Sequence, residues 1–353
     1  MTNRVIAKRL SRQEWDLLVP TFRESSYRQC SSYAAAAARR VGAKSELNGL
    51  FDDAGLVGLA EVRVKTLPLI SLGIAYASYA PVTGPGSGFL ADQFGPCLDA
   101  LRREYVERRR LLLRIVPPPN GGLFQHVLAA CFESHGFRPC PQQKARRTFV
   151  LDLAKPLLAI RGCFDPKWRS DLAKAEKSGI QITRSVEPGD FDRFEEILLE
   201  LSKKKGFLPG QDVRFFKEAQ AETPQDQKFV LHLAWHDREL IAGHMGSFVG
   251  NTGVYILGAA NPKGRNLRAS YLLQWAAIEY AKEVGNAFYD LGGIDQLQNP
   301  DVYRFKRRLN GRLVTEVGPY ELAPDSFRRC ALHFLEAARD VARGKLSRSL
   351  NGP

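Results

Sequence analysis

Tyr255-Ile256-Leu257-Gly258-Ala259-Ala260, then Asn261-Pro262-Lys263-Gly264-Arg265-Asn266-Leu267-Arg268, then Ala269-Ser270-Tyr271-Leu272-Leu273-Gln274-Trp275-Ala276-Ala277-Ile278, and finally Tyr289-Asp290-Leu291-Gly292-Gly293-Ile294 fill the second half of a 353-residue chain. The first run has the length of a strand and the second is a basic turn. The third opens a helix reaching Glu283, and the fourth is a strand closed by paired glycines. Just upstream, Phe229 to Trp235, Leu240 to Phe248 and Val254 to Ala259 read as strands, the last two divided by the hairpin signal Gly250-Asn251-Thr252-Gly253. Downstream come a helix at Val302 to Leu309 and a strand at Leu313 to Tyr320. An antiparallel meander followed by helix, strand, helix and strand is a mixed-sheet α+β unit.

The same order occurs earlier in the chain. Strands at Leu47 to Phe51, Leu56 to Val64 and Leu72 to Tyr79 precede a Pro/Gly loop that includes Pro81, Gly84 and Gly88. A helix at Phe89 to Arg109, a strand at Leu111 to Val116, a helix at Leu123 to Ser134 and a strand at Arg147 to Leu153 complete the set. The halves share little residue identity, so the repeat lies in the order of elements. A seam near Leu153 to Asp165, where Pro156 and Pro166 flank Gly162, divides the chain into a first domain, 1–155, and a second, 156–353. The closing helix, Asp325 to Arg343, has an apolar side and an arginine side, and is expected to pack on the second domain.

Composition excludes several classes. With 44% hydrophobic residues the chain can bury a core in each half. Fifty-one Lys and Arg against 38 Asp and Glu give +13, a field that attracts polyanions. No apolar run approaches the ~20 residues of a membrane span, and a cytoplasmic monomer is expected. The six cysteines form no C-x-x-C pair, so neither a zinc site nor a disulfide framework is expected. His232 and His236 sit on one strand, where four residues span roughly 13 Å, too far to share a metal. Nucleophile-elbow, Walker and dinucleotide motifs are absent from the sequence, and no cofactor is called for.

The segments quoted first, together with Asn299-Pro300-Asp301-Val302-Tyr303-Arg304-Phe305-Lys306 and Val317-Gly318-Pro319-Tyr320-Glu321-Leu322, resemble the FemABX family of non-ribosomal aminoacyltransferases. Lys167 to Ile180 resembles that family's basic helix opening the second domain, and Gln29 to Tyr33 and Tyr79 to Pro85 its first domain. The resemblance implies two tandem acetyltransferase-like (GNAT) domains with mixed sheets and a cleft. It also implies aminoacyl-tRNA as donor and an amine acceptor, either a peptidoglycan precursor or a small metabolite. Lys306 then matches the family's lysine beside the reacting ester, where a fixed cation stabilises the oxyanion of aminolysis; as residue chemistry alone it is one cation of the run Arg304, Lys306, Arg307, Arg308. Asp290 is a candidate helper or a turn former.

The resemblance places Tyr255, with Gly292 and Gly293, at the substrate, while as a strand aromatic Tyr255 is equally a good core residue. Tyr303, Phe305 and Arg308 are candidates to line the pocket for the terminal adenosine by stacking and phosphate contact, or else are packing or solvated charge. Lys167, Arg169 and Lys174, with Lys263, Arg265 and Arg268, form a candidate tRNA track that touches backbone without reading sequence. Two departures stand out. Ala34 to Ala38 replace the lysine with which cell-wall members grip precursor phosphates, and Phe215 and Phe216 in the 206–216 loop lack an acceptor-binding hydroxyl. The alternative donor is acyl-CoA or acyl carrier protein. Against CoA, the turn at Lys263 to Arg268 has one glycine where a pyrophosphate loop has two. A third reading is a non-catalytic RNA- or membrane-binding scaffold.

Overall fold

The structure is a computed structural model that describes residues 4–67, 72–86, 90–119, 123–140, 145–205 and 213–350. Gly88 and the loop 206–212 lie outside the described residues. In chain order the elements are β1 (Ile6–Arg9), α1 (Arg12–Leu18), α2 (Ser31–Arg40), β2 (Lys44–Asp52), β3 (Gly55–Leu67), β4 (Leu72–Ser78), β5 (Val82–Thr83), α3 (Ala91–Leu101), β6 (Leu112–Val116), α4 (Gln125–Ser134) and β7 (Arg138–Pro139). There follow β8 (Arg147–Asp152), α5 (Leu157–Gly162), α6 (Pro166–Glu176), β9 (Gln181–Ser185), α7 (Pro188–Lys205), α8 (Val213–Gln220), β10 (Val230–His236), β11 (Glu239–Ser247) and β12 (Thr252–Ala260). The chain ends with α9 (Pro262–Asn266), α10 (Ala269–Glu283), β13 (Phe288–Gly293), α11 (Pro300–Arg307), β14 (Arg312–Thr315), β15 (Tyr320–Leu322) and α12 (Ser326–Leu350).

Two mixed sheets result. One runs β1-β2-β3-β4-β6-β15-β7, with β5 paired to β3; the other runs β14-β8-β13-β12-β11-β10-β9. Each contains one parallel pair, β4 with β6 and β12 with β13, joined across a long helix, α3 or α10. The expected tandem GNAT-like plan is therefore present. The last strands are exchanged, however. β8 inserts between β13 and β14 of the second sheet, and β15 inserts between β6 and β7 of the first. Sequence order alone had placed each strand in its own half; alternation records which faces a strand buries, not which sheet it joins.

The closing helix is also relocated. Leu332 of α12 packs with Leu72 and Leu112 of the first sheet, and Glu336 pairs with the buried Arg114 of β6. It docks where β15 has carried the chain, against the first sheet rather than the second. The Ala run has a packing reason: Ala36 and Ala37 of α2 are buried in a cluster with Phe216 and Ala219 of α8 and Phe191 of α7. Methyl groups let helices from the two halves approach closely, and a lysine there would have to bury its charge.

Candidate active site

Lys306 is the one residue recorded as buried in α11, a short helix started by Pro300 in its first turn. It is 4% exposed. Its Nζ donates to the Gly293 carbonyl at 3.0 Å and lies 4.6 Å from the centre of the Tyr255 ring. Burial pulls the ammonium down to about 8, with Asp290 working against that shift and Arg146 adding to it. The first of the paired glycines makes room for it. Gly292 has φ +77°, and a Cβ there would lie 2.8 Å from the Tyr255 carbonyl oxygen and 3.3 Å from Lys306 Nζ.

Asp290 anchors this corner. One carboxylate oxygen accepts from the Gly292 N–H at 2.8 Å and from the Thr148 hydroxyl, and the other accepts from Arg146 at 2.9 Å. Arg146 also donates to the Tyr79 oxygen at 3.3 Å and pairs closely with Glu316, to which the Tyr79 hydroxyl donates in turn. Burial opposes the Arg146 charge, but Asp290, Tyr79 and Glu316 hold it above the ordinary guanidinium range. Burial lifts the Glu316 carboxyl above its usual value, against the pull of Arg146. Arg28 stacks on Tyr79 at 4.5 Å and Tyr27 at 5.3 Å.

Two cavities share this corner. The first, about 360 Å³, opens between the halves and is lined by the turn at Ser26 to Arg28, Tyr79, Arg146, Tyr255, Gly292 and Lys306. The second, about 470 Å³, runs along β12 and the start of α10 and is lined by Tyr255, Arg265, Arg268, Tyr271, Phe305 and Lys306. β12 and β13 pair only from Thr252 to Val254 with Phe288 to Asp290. Beyond that register the parallel strands part, and Tyr255 and Lys306 belong to the walls of both cavities.

The remaining expected residues divide. Gly293 lines the first cavity and Phe305 the second, the latter 5.0 Å from the Tyr271 ring. Tyr303 instead packs on Phe149 at 5.8 Å, and Arg308 is exposed and lines neither cavity; both belong to the helix–sheet seam, where the Arg308 carbonyl receives the Asp165 N–H at 2.8 Å. Arg265 and Arg268 flank the second cavity. Asp171 draws Arg268 (2.7 Å) and Lys167 (3.3 Å) together. Lys263 is turned toward Asp237 and Glu239. Arg169 donates to the Gly162 carbonyl and Lys174 is exposed on α6. Arg146, Glu316, Tyr79 and Arg28 were not picked out from sequence. Arg146 stands in a basic run and Glu316 in a plain turn, so only their convergence in space marks them.

Cys140, Glu321 and His333 come close enough to share an ion. Glu321 also pairs with Arg114 at 3.0 Å and with Arg329 at 3.1 Å.

A family model described as an acetyltransferase (GNAT) domain matches residues 167–307. The lipid II:glycine glycyltransferase of Staphylococcus saprophyticus is 21% identical over 373 aligned positions, covering 85% of this chain and 88% of that protein. Its Staphylococcus haemolyticus counterpart is 20% identical over 97% and 99% of the two chains. Among solved structures, FemX has a TM-score of 0.75 at 16% identity, over 90% of this chain and 97% of FemX. Likeness along most of the length of these relatives, a GNAT match over residues 167–307 and a FemX-like fold agree in supporting an acyltransferase of the FemABX type, built from two tandem GNAT-like domains.

Proposed function

We propose that this chain moves an aminoacyl group from aminoacyl-tRNA to an amine of a peptidoglycan precursor, forming an amide. The observation that carries the reading is the Lys306 ammonium, set in the wall common to two cavities. The donor lies in the cavity along β12 and α10, with Arg265 and Arg268 toward phosphates and Phe305 and Tyr271 offering ring faces to the terminal base. The acceptor enters the cleft between the halves. The lipid II:glycine glycyltransferase relatives support a cell-wall precursor as that acceptor.

In the reaction the amine lone pair attacks the ester carbonyl carbon, and the carbonyl oxygen takes up negative charge. Lys306, held through one N–H by Gly293, presents its remaining protons to that oxyanion. The carbon–oxygen bond to the ribose then breaks, and the proton lost by the amine ends on the departing hydroxyl. Asp290 acts as a positioning residue, because both of its oxygens are taken by Gly292, Thr148 and Arg146.

A CoA donor finds less support. Gly264, the single glycine of its turn, is needed for packing, since a Cβ there would run into the Ile241 carbonyl. The test supplies labelled aminoacyl-tRNA, a peptidoglycan-precursor preparation and the purified chain, with and without RNase. Label transfer abolished by RNase and by Lys306→Ala is expected. Transfer from acyl-CoA that resists RNase would overturn the reading.

A further inference from the structure

The wall of the second cavity turns polar at one point where the buried face of α10 is otherwise apolar. Gln274 lies between Leu273 and Trp275 among the buried residues of α10 and is 1% exposed. Beside it in the cavity lining stands His244 of β11, 2% exposed, its ring 4.9 Å from that of Tyr255. His244 Nε2 meets the Tyr289 hydroxyl at 2.9 Å, and the Gln274 amide lies beside the same hydroxyl. The Gln274 amide NH2 is left to that hydroxyl, while Gln274 Oε1 and His244 Nδ1 reach no hydrogen-bond partner among the described residues. Leaving such groups unpaired in a closed interior costs about 1–3 kcal/mol each, yet both border a cavity that also contains the Lys306 side chain.

We infer that Gln274 and His244 form a subsite for an amino group on the transferred acyl chain, so that the groove selects an aminoacyl donor over a plain acyl donor. The inference rests on the aminoacyl-transfer reading and adds which residues recognise the donor's amine. An α-amino group next to an ester carbonyl carries N–H donors and needs acceptors. Gln274 Oε1 is one. His244 supplies another in the tautomer whose Nε2 proton goes to the Tyr289 oxygen, leaving Nδ1 free to accept. Burial, then the neighbouring His232 and Lys306, hold the His244 imidazole well below its usual range, which keeps it neutral and able to accept. A propionyl or acetyl chain at the same place would leave both acceptors unmatched.

The test uses one tRNA acylated either with the amino acid that the chain transfers or with its deamino acid, for example alanine against propionate. The wild-type chain is expected to favour the aminoacyl form by at least about tenfold in kcat/KM. Gln274→Leu and His244→Phe, each alone, should erase most of that preference by raising KM for the aminoacyl donor. Both should leave the deamino donor within about twofold. Gln274→Met, closer in length, guards against a packing defect, and thermal unfolding confirms folding. Preference retained in both variants, or equal loss with both donors, overturns the subsite. Failure of the wild-type chain to use either tRNA overturns the aminoacyl reading, and this subsite with it.

Discussion

Lys306 carries a charge that the fold opposes and the reaction needs. Its folded value of about 8 lies below the ordinary lysine 10.5, chiefly through burial. Such a group penalises folding while it stays charged in both states, below about pH 8. The penalty fades as pH rises toward 10.5, where the unfolded chain still binds the proton and the native one has lost it. Lys306→Met should therefore raise stability below pH 8, by about 3 kcal/mol at most, with the gain shrinking in alkali; urea titrations at pH 7 and pH 9.5 check the sign. Activity should move the other way. If the ammonium is what stabilises the oxyanion, kcat falls as pH passes about 8. Lys306→Arg, where it retains turnover, should carry that alkaline limb to higher pH, which a kcat–pH profile reads directly. Gly292→Ala is the complementary change. At φ +77° with the Tyr255 carbonyl 2.8 Å from its new Cβ, it should lose about 1–3 kcal/mol and most turnover, seen as a lowered melting temperature and a lowered kcat.

At the scale of elements, the charged corner ties four separate pieces of chain together. Arg146 enters β8, Asp290 sits in β13, Glu316 follows β14, and Tyr79 follows β4. Removing the guanidinium leaves two buried carboxylates facing one another. Arg146→Met should thus cost about 3 kcal/mol, while adding Glu316→Gln to it should restore part of the loss; chemical denaturation of the wild-type, single and double variants measures the coupling. This corner also marks the limit of what residues disclose in one dimension. Lys306 could be picked out because the run Asn299 to Lys306 resembles one in the family that ends in a lysine. Arg146 and Glu316 could not, because a charge bound for the interior and a charge bound for water look alike until distant strands bring them together. Tyr303 shows the same limit: its neighbourhood suggested either substrate or packing, and helical rotation turns its ring onto Phe149.

For the molecule as a whole, the exchanged strands decide how far the two halves are separable. Periodicity made the elements and their repeated order readable, because both are local. The exchange depends on which edge lies open when β8 and β15 arrive, and no local pattern encodes that. Its consequence is mutual dependence. β7 is held to its sheet through β15, and β14 to its sheet through β8. A fragment ending at residue 155 keeps β8 without the sheet it belongs to and leaves β6 and β7 with open edges; a fragment starting at 156 opens a gap between β13 and β14. Unpaired edges of this kind favour association over independent folding. Each fragment expressed alone should therefore lack a cooperative unfolding transition and near-ultraviolet circular dichroism. The two expressed together should copurify as one particle, each supplying the strand the other needs, and recover the Lys306-dependent activity. Either fragment melting cooperatively alone, at the temperature of the intact chain, would show that the exchanged strands are appended to two finished domains and do not complete them.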